Sequence, residues 1–171
     1  MTAWPVAGLI LAGCSSTATY RQQAENNPSL QGGAIRVECE KVKGAVESLD
    51  ANQRTAVLKL GDGSSHQYRI STGVMNLAQM APGTEVKGKA MEEEALFLNN
   101  APLPAAGPGV SDFKTKIYNV DKSYRLIALD YPNDKRRDFK VPLGTHLETV
   151  NPGDEAVVRS TTPLLVELEA R

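Results

Sequence analysis

The feature that most constrains this chain is that it lies over itself. With a shift of 71 positions, VESLDANQRTAVLKLGDGSSHQYRISTG (46–73) falls on IYNVDKSYRLIALDYPNDKRRDFKVPLG (117–144), matching Asp50 with Asp121, Arg54 with Arg125, Leu58 with Leu129 and Gly73 with Gly144. One deletion changes the shift to 70, and LAQMAPGTE (77–85) then falls on LETVNPGDE (147–155), pairing Leu77 with Leu147, Pro82 with Pro152, Gly83 with Gly153 and Glu85 with Glu155; further along, Leu98 meets Leu168. Identities that keep their order over such a span read as two copies of one module. Whatever one copy folds into, the other must fold into as well.

The period inside each copy says what that is. Ala56, Leu58 and Leu60 alternate with Thr55, Val57 and Lys59, and Ile127, Leu129 and Tyr131 hold the same places in the second copy. A period of two is the mark of a strand with one buried face. Strands are expected near 43–49, 54–60, 65–71, 85–91 and 95–98, and again near 114–120, 124–130, 137–141, 154–160 and 164–169, with turns at DANQ, GDGS and APGT. VMNLAQM (74–80) and THLETV (145–150) are suited to a short helical plug. The Pro-Gly pair that follows each ends it, since proline lacks an N–H and glycine accepts positive φ. The expected fold is all-β: two tandem five-stranded barrels of the oligonucleotide-binding or SH3-like kind, each with its plug. Closure hides strand edges that a short sheet would otherwise expose.

Modules of this size bury only about 60% of their unfolded surface, so the two are expected to pack together, using the outward apolar residues Val57, Leu126 and Ala128. The boundaries are module 1 at 34–98, a Pro/Gly linker at 99–112 (NNAPLPAAGPGVSD) and module 2 at 113–171. The overlaid regions resemble exported bacterial proteins that carry a strand ending in Ile-Asp or Val-Asp, an Arg-led second strand and a PGD or PGT turn before the fourth. That resemblance brings no active site with it.

Composition excludes some classes. The chain has 171 residues, 41% of them hydrophobic and 23% charged, and a net charge of −1, so it is an ordinary globular chain and no field of one sign draws it to nucleic acid. Two cysteines, Cys14 and Cys39, are too few for a disulfide-stapled scaffold.

Residues 4–12 are nearly all apolar and end in Leu11-Ala12-Gly13-Cys14. Such a stretch is shorter than the roughly 20 residues needed to span a bilayer and suits a secretory h-region. The quartet resembles the lipobox of bacterial lipoproteins. That resemblance implies a signal peptide at 1–13, with Leu11, Ala12 and Gly13 recognised by the peptidase, and a diacylglycerol thioether on Cys14. Residues 1–4 depart from the family's positive n-region, carrying no Lys or Arg. Residues 14–33 read as a flexible tether, spanning roughly 25 Å at about 5–6 Å times the square root of residue number. Ser15 differs from the Asp that retains many such proteins in the inner membrane, which implies the outer membrane, facing the periplasm.

Candidate chemistry is thin. His66 and His146 fall at non-equivalent places, and each is expected to be an ordinary surface histidine. Cys39 shares a strand face with Ile35 and Val37 and is expected to be a small buried hydrophobe. Glu92, Glu93 and Glu94 form an acidic run expected at a solvated hairpin tip. Lys135, Arg136 and Arg137 form a basic cluster that reads first as a solvated turn, and as a functional site it suits anionic headgroups or glycan phosphates better than nucleic acid. Phe139 beside them aligns with Tyr68 on the core face, which weighs against a single-stranded nucleic-acid surface. Asp50 with Arg54, and Asp121 with Arg125, are expected to pair across or cap the first turn. Phosphate-loop, nucleophile-elbow and paired metal motifs are absent from the sequence, so no enzyme, catalytic residue, cofactor or metal site is expected. The sequence thus points to a lipid-anchored binding or scaffolding module for another envelope protein or glycan. The alternative is a periplasmic small-ligand or metal-binding module using the cleft between the copies.

Overall fold

A computed structural model describes residues 19–21, 34–98, 102–132 and 135–171. They form strands β1 (Thr19–Arg21), β2 (Ala34–Asp50), β3 (Thr55–Leu60), β4 (Ser65–Ile70), β5 (Glu85–Leu98), β6 (Val110–Asp121), β7 (Leu126–Tyr131), β8 (Lys135–Lys140), β9 (Glu155–Thr161) and β10 (Leu164–Ala170), with a 3-10 turn at Leu77–Gln79. The protein is all-β, as its alternation predicts. Nine strands from Ala34 onward share one mixed sheet, and the short β1 pairs along the start of β2.

The sheet does not divide into two independent five-stranded barrels. The segments expected as separate strands at 85–91 and 95–98 are one strand, β5, which pairs antiparallel with β2 from Ala34↔Leu96 to Ala45↔Glu85. The other edge of β5 is shared. Its first half meets β10, and its second half meets β9. β10, expected to complete the second copy, inserts between β4 and β5 and closes the circuit β2-β3-β4-β10-β5-β2 in the first half. β6 begins at Val110, inside the stretch expected as linker, and pairs with β9. Val57, Leu126 and Ala128 are only half-buried; the halves are joined by shared strands.

Two cores result. The first holds Val42, Val46, Leu58, Tyr68, Ile70, Leu77, Val86, Leu165 and Leu168 among others, and the second holds Leu96, Ile117, Ile127, Leu129, Phe139, Leu147 and Val158 together with Ala34. Each fully buried Leu, Ile, Val or Phe contributes about 1.5–3 kcal/mol, and both sets mix residues from the two ends of the chain. Phe139 and Tyr68 face their cores as the alternation requires.

The residues that the self-overlay of the sequence matches make equivalent contacts. Arg54 and Arg125 both take left-handed backbone, with φ of 52° and 54°. The Arg54 guanidinium donates to the carbonyls of Ile70 (3.2 Å), Ser71 and Val74 (2.8 Å), and that of Arg125 to Val141 (3.2 Å), Pro142 (2.5 Å) and Thr145 (2.6 Å). Of the two expected roles, pairing across the first turn or capping it, the aspartates take the second: Asp50 Oδ1 accepts from the Asn52 and Gln53 N–H groups and Asp121 Oδ1 from that of Tyr124, while each arginine fork, rich in donors, ties down the loop after its third strand. Gly83 and Gly153 (φ 89° and 94°) donate to the Val46 and Ile117 carbonyls at 2.7 Å in both cases. Bulges fall at Val46/Ser48 and Ile117/Asn119, again at corresponding places.

The plugs differ from expectation in the second copy. Leu77 anchors a 3-10 turn closed by Met80 N–H to Leu77 O (3.0 Å); Leu147 makes the matching bond with Val150 (3.2 Å) but in a plain turn. The loop ahead of it is one residue shorter, leaving less chain to wind.

Candidate functional site

Charged residues gather in two kinds of place, buried braces between strands and a surface groove, and the physics of each differs. The first is a seam where β8 approaches β2 without main-chain pairing. Arg137 Nη1 lies 2.7 Å from Glu94 Oε1, 3.4 Å from Glu92 Oε2 and 3.9 Å from Glu38 Oε2, and Arg36 Nη1 lies 2.8 Å from Glu38 and 3.3 Å from Glu94. The Tyr131 hydroxyl donates to Glu94 at 3.2 Å, and its ring meets Phe113 edge-on at 5.0 Å. Glu94 is 3% exposed, so its charge is held away from water and depends on these partners. Burial, then the neighbouring Glu94 charge, pushes the Glu92 carboxyl up. Burial and Glu94 also raise the Tyr131 hydroxyl. Burial opposes the charge on Arg137, but Glu94 outweighs it and holds the guanidinium protonated. This cluster is a brace between strands.

A second brace lies on β9. Arg159, 1% exposed, makes a two-pronged pair with Asp112 on β6 at 2.6 and 2.7 Å. Its hydrogen bonds hold the Asp112 carboxyl below the usual range.

These contacts separate the three basic residues expected to act together. Arg137 points into the seam. Arg136 sits over the Tyr118 ring, 3.4 Å from its centroid, with Asp130 at 3.7 Å, and Lys135 is exposed on β8. Glu92, Glu93 and Glu94 are not a hairpin tip but lie within β5, where Glu94 is buried. Cys39 is half-buried and disulfide-bonded, not a free apolar thiol. The expected lipobox residues Leu11, Ala12, Gly13 and Cys14 lie outside the described residues. His66 is exposed and meets Ser64 at 3.0 Å, and His146, 92% exposed, lies 3.8 Å from Glu148. Among the described residues no group of three or more His, Cys, Asp or Glu side chains could hold a metal ion. No described helix is long and apolar enough to cross a membrane.

The second charged place is a surface groove that sequence reasoning missed. Val42, Val86, Ala90 and Leu168 turn into the first core, so their neighbours must turn outward. Register then lays Lys41, Lys89 and Glu167 in one rung and Lys43, Lys87 and Glu169 in the next. Lys89 pairs with Glu167 at 2.9 Å and Lys87 with Glu169 at 3.3 Å. Lys41 and Lys43 have no ion pair among the described residues. Gly88 sits between the rungs, where a Cβ would come within 2.0 Å of the Glu167 carbonyl oxygen. Only glycine permits that approach, and a groove of about 220 Å³ opens above, lined by these residues and Val42. The signal was present in the sequence as three short pieces, KVK (41–43), KGK (87–89) and ELE (167–169). Only strand pairing brings them together.

Neither a protein-family model nor a curated protein sequence matches this chain.

Proposed function

We propose that this chain is a lipid-anchored protein of the bacterial cell envelope, tethered through Cys14 and placed on the outer membrane facing the periplasm, whose β body is a non-catalytic binding or scaffolding unit for another envelope component. Leu11, Ala12 and Gly13 serve the processing peptidase in this reading. The observation that carries the binding role is the lysine-lined groove of β2, β5 and β10: it is a pre-formed recess on an interlocked sheet, while the buried charges Arg36, Glu94 and Arg159 are spent on holding strands together. Two copies of one barrel-like module, related by duplication, are part of the same reading. Support comes from the equivalent contacts of Arg54 with Arg125 and Gly83 with Gly153.

One sulfur carries a thioether or a disulfide, never both. With two cysteines in the chain and Cys39 disulfide-bonded, lipidation of Cys14 requires the Cys39 disulfide to be made with another chain. Labelled palmitate supplied to the producing bacterium tests the anchor: wild type takes up label and Cys14→Ser does not. An unlipidated mature chain that keeps residues 1–13, and whose intact mass changes on reduction, overturns it.

A further inference from the structure

We propose that the groove between Lys41, Lys43, Lys87 and Lys89 binds a phosphate group, supplied by the headgroups of an anionic lipid surface. Four lysines against two glutamates leave the six-residue face with two uncompensated positive charges. Lys41 stands directly opposite Lys89, and Lys43 opposite Lys87. Like charges facing each other across a sheet destabilise it, so a sequence shaped for stability alone places such pairs elsewhere. An anion lying between them turns the repulsion into attraction.

The shape fits that class of ligand. A volume of about 220 Å³ is smaller than the roughly 300–1,000 Å³ of drug-sized pockets and suits one headgroup. Each lysine offers a compact ammonium with three rotatable donors, a form of point charge that serves phosphate well. Glu167 and Glu169 hold Lys89 and Lys87 in place and repel an anion from the β10 side, so the phosphate lies toward Lys41 and Lys43. The glutamates are left to meet hydroxyl or ammonium groups of the same headgroup. That the phosphate comes from a membrane rests on the tethered reading above; the groove and its charge do not.

The test uses the full chain, unacylated, so that its outcome is independent of the state of Cys14. Phosphatidylcholine vesicles with and without phosphatidylglycerol are offered to wild type, to Lys41→Gln/Lys43→Gln and to Lys114→Gln/Lys116→Gln, the last removing equal charge from exposed positions on β6. Binding that requires phosphatidylglycerol is expected to fall about 25-fold in the first variant, at about fivefold per lysine, and to hold in the second. Inorganic pyrophosphate is expected to shift the amide resonances of Lys41, Lys43 and Gly88 in the wild type. The melting temperature of Lys41→Gln/Lys43→Gln without ligand is expected to match or exceed that of wild type. Equal losses in the two variants, or no loss in either, overturn the site. Pyrophosphate shifts without vesicle binding overturn the lipid source and assign the groove to soluble phosphate.

Discussion

The two halves of this protein share a framework and differ in how they close. In the first, β10 completes the ring with main-chain hydrogen bonds on both sides, parallel to β4 and antiparallel to β5. In the second, β8 is joined to β2 and β5 through side chains, with Arg137 reaching Glu94, Glu92 and Glu38. β10 goes to the first half. Main-chain closure asks little of side-chain identity beyond Gly88, where β10 comes too near for a Cβ. Side-chain closure depends on a few named charges, so the second half is the more fragile to substitution.

Arg137→Leu gives the largest expected effect. It takes from the buried Glu94 carboxylate its shortest ion pair, leaving Arg36 and the Tyr131 hydroxyl, and is expected to cost about 1.5–3 kcal/mol, read as a lower urea midpoint, whereas Lys89→Ala, breaking the exposed Lys89–Glu167 pair, is expected to cost about 0.2–1 kcal/mol. Similar losses would erase the distinction between brace and surface pair. Next come Arg54→Ala and Arg125→Ala, each removing a fork that holds three loop carbonyls. Each is expected to lose about 1–3 kcal/mol. Matched losses sharpen the equivalence of the halves, and a severalfold difference breaks it. The smallest effect is acidic. Because Arg159 depresses the Asp112 carboxyl, the stability from that pair is present above the ordinary aspartate value of 3.8 and is lost as pH falls below it. Asp112→Asn is expected to flatten that part of the stability–pH curve, measured by urea unfolding at a series of pH values.

Much of the strand content was legible because alternation needs only neighbours in sequence. Leu58 and Leu129, both completely buried, announce their strands by period two, and the turns at Gly83 and Gly153 follow from local backbone chemistry. Which strand pairs with which is another matter. Residues 164–169 read as the last strand of their own copy, and nothing local says that Leu165 lies beside Ala90. β5 reads as two strands because the acidic run in its middle resembles a solvated tip, when in fact Arg36 of β2 and Arg137 of β8 pair with the buried Glu94. The groove was illegible for the same reason. Lys41, Lys89 and Glu167 are far apart in sequence, and only non-local pairing sets them side by side.

β2 begins at Ala34 and stays paired with β5 over twelve consecutive residues, to Ala45. A pull arriving from upstream of Thr19 meets the three rungs of β1 against β2 before it reaches the longer pairing of β2 with β5.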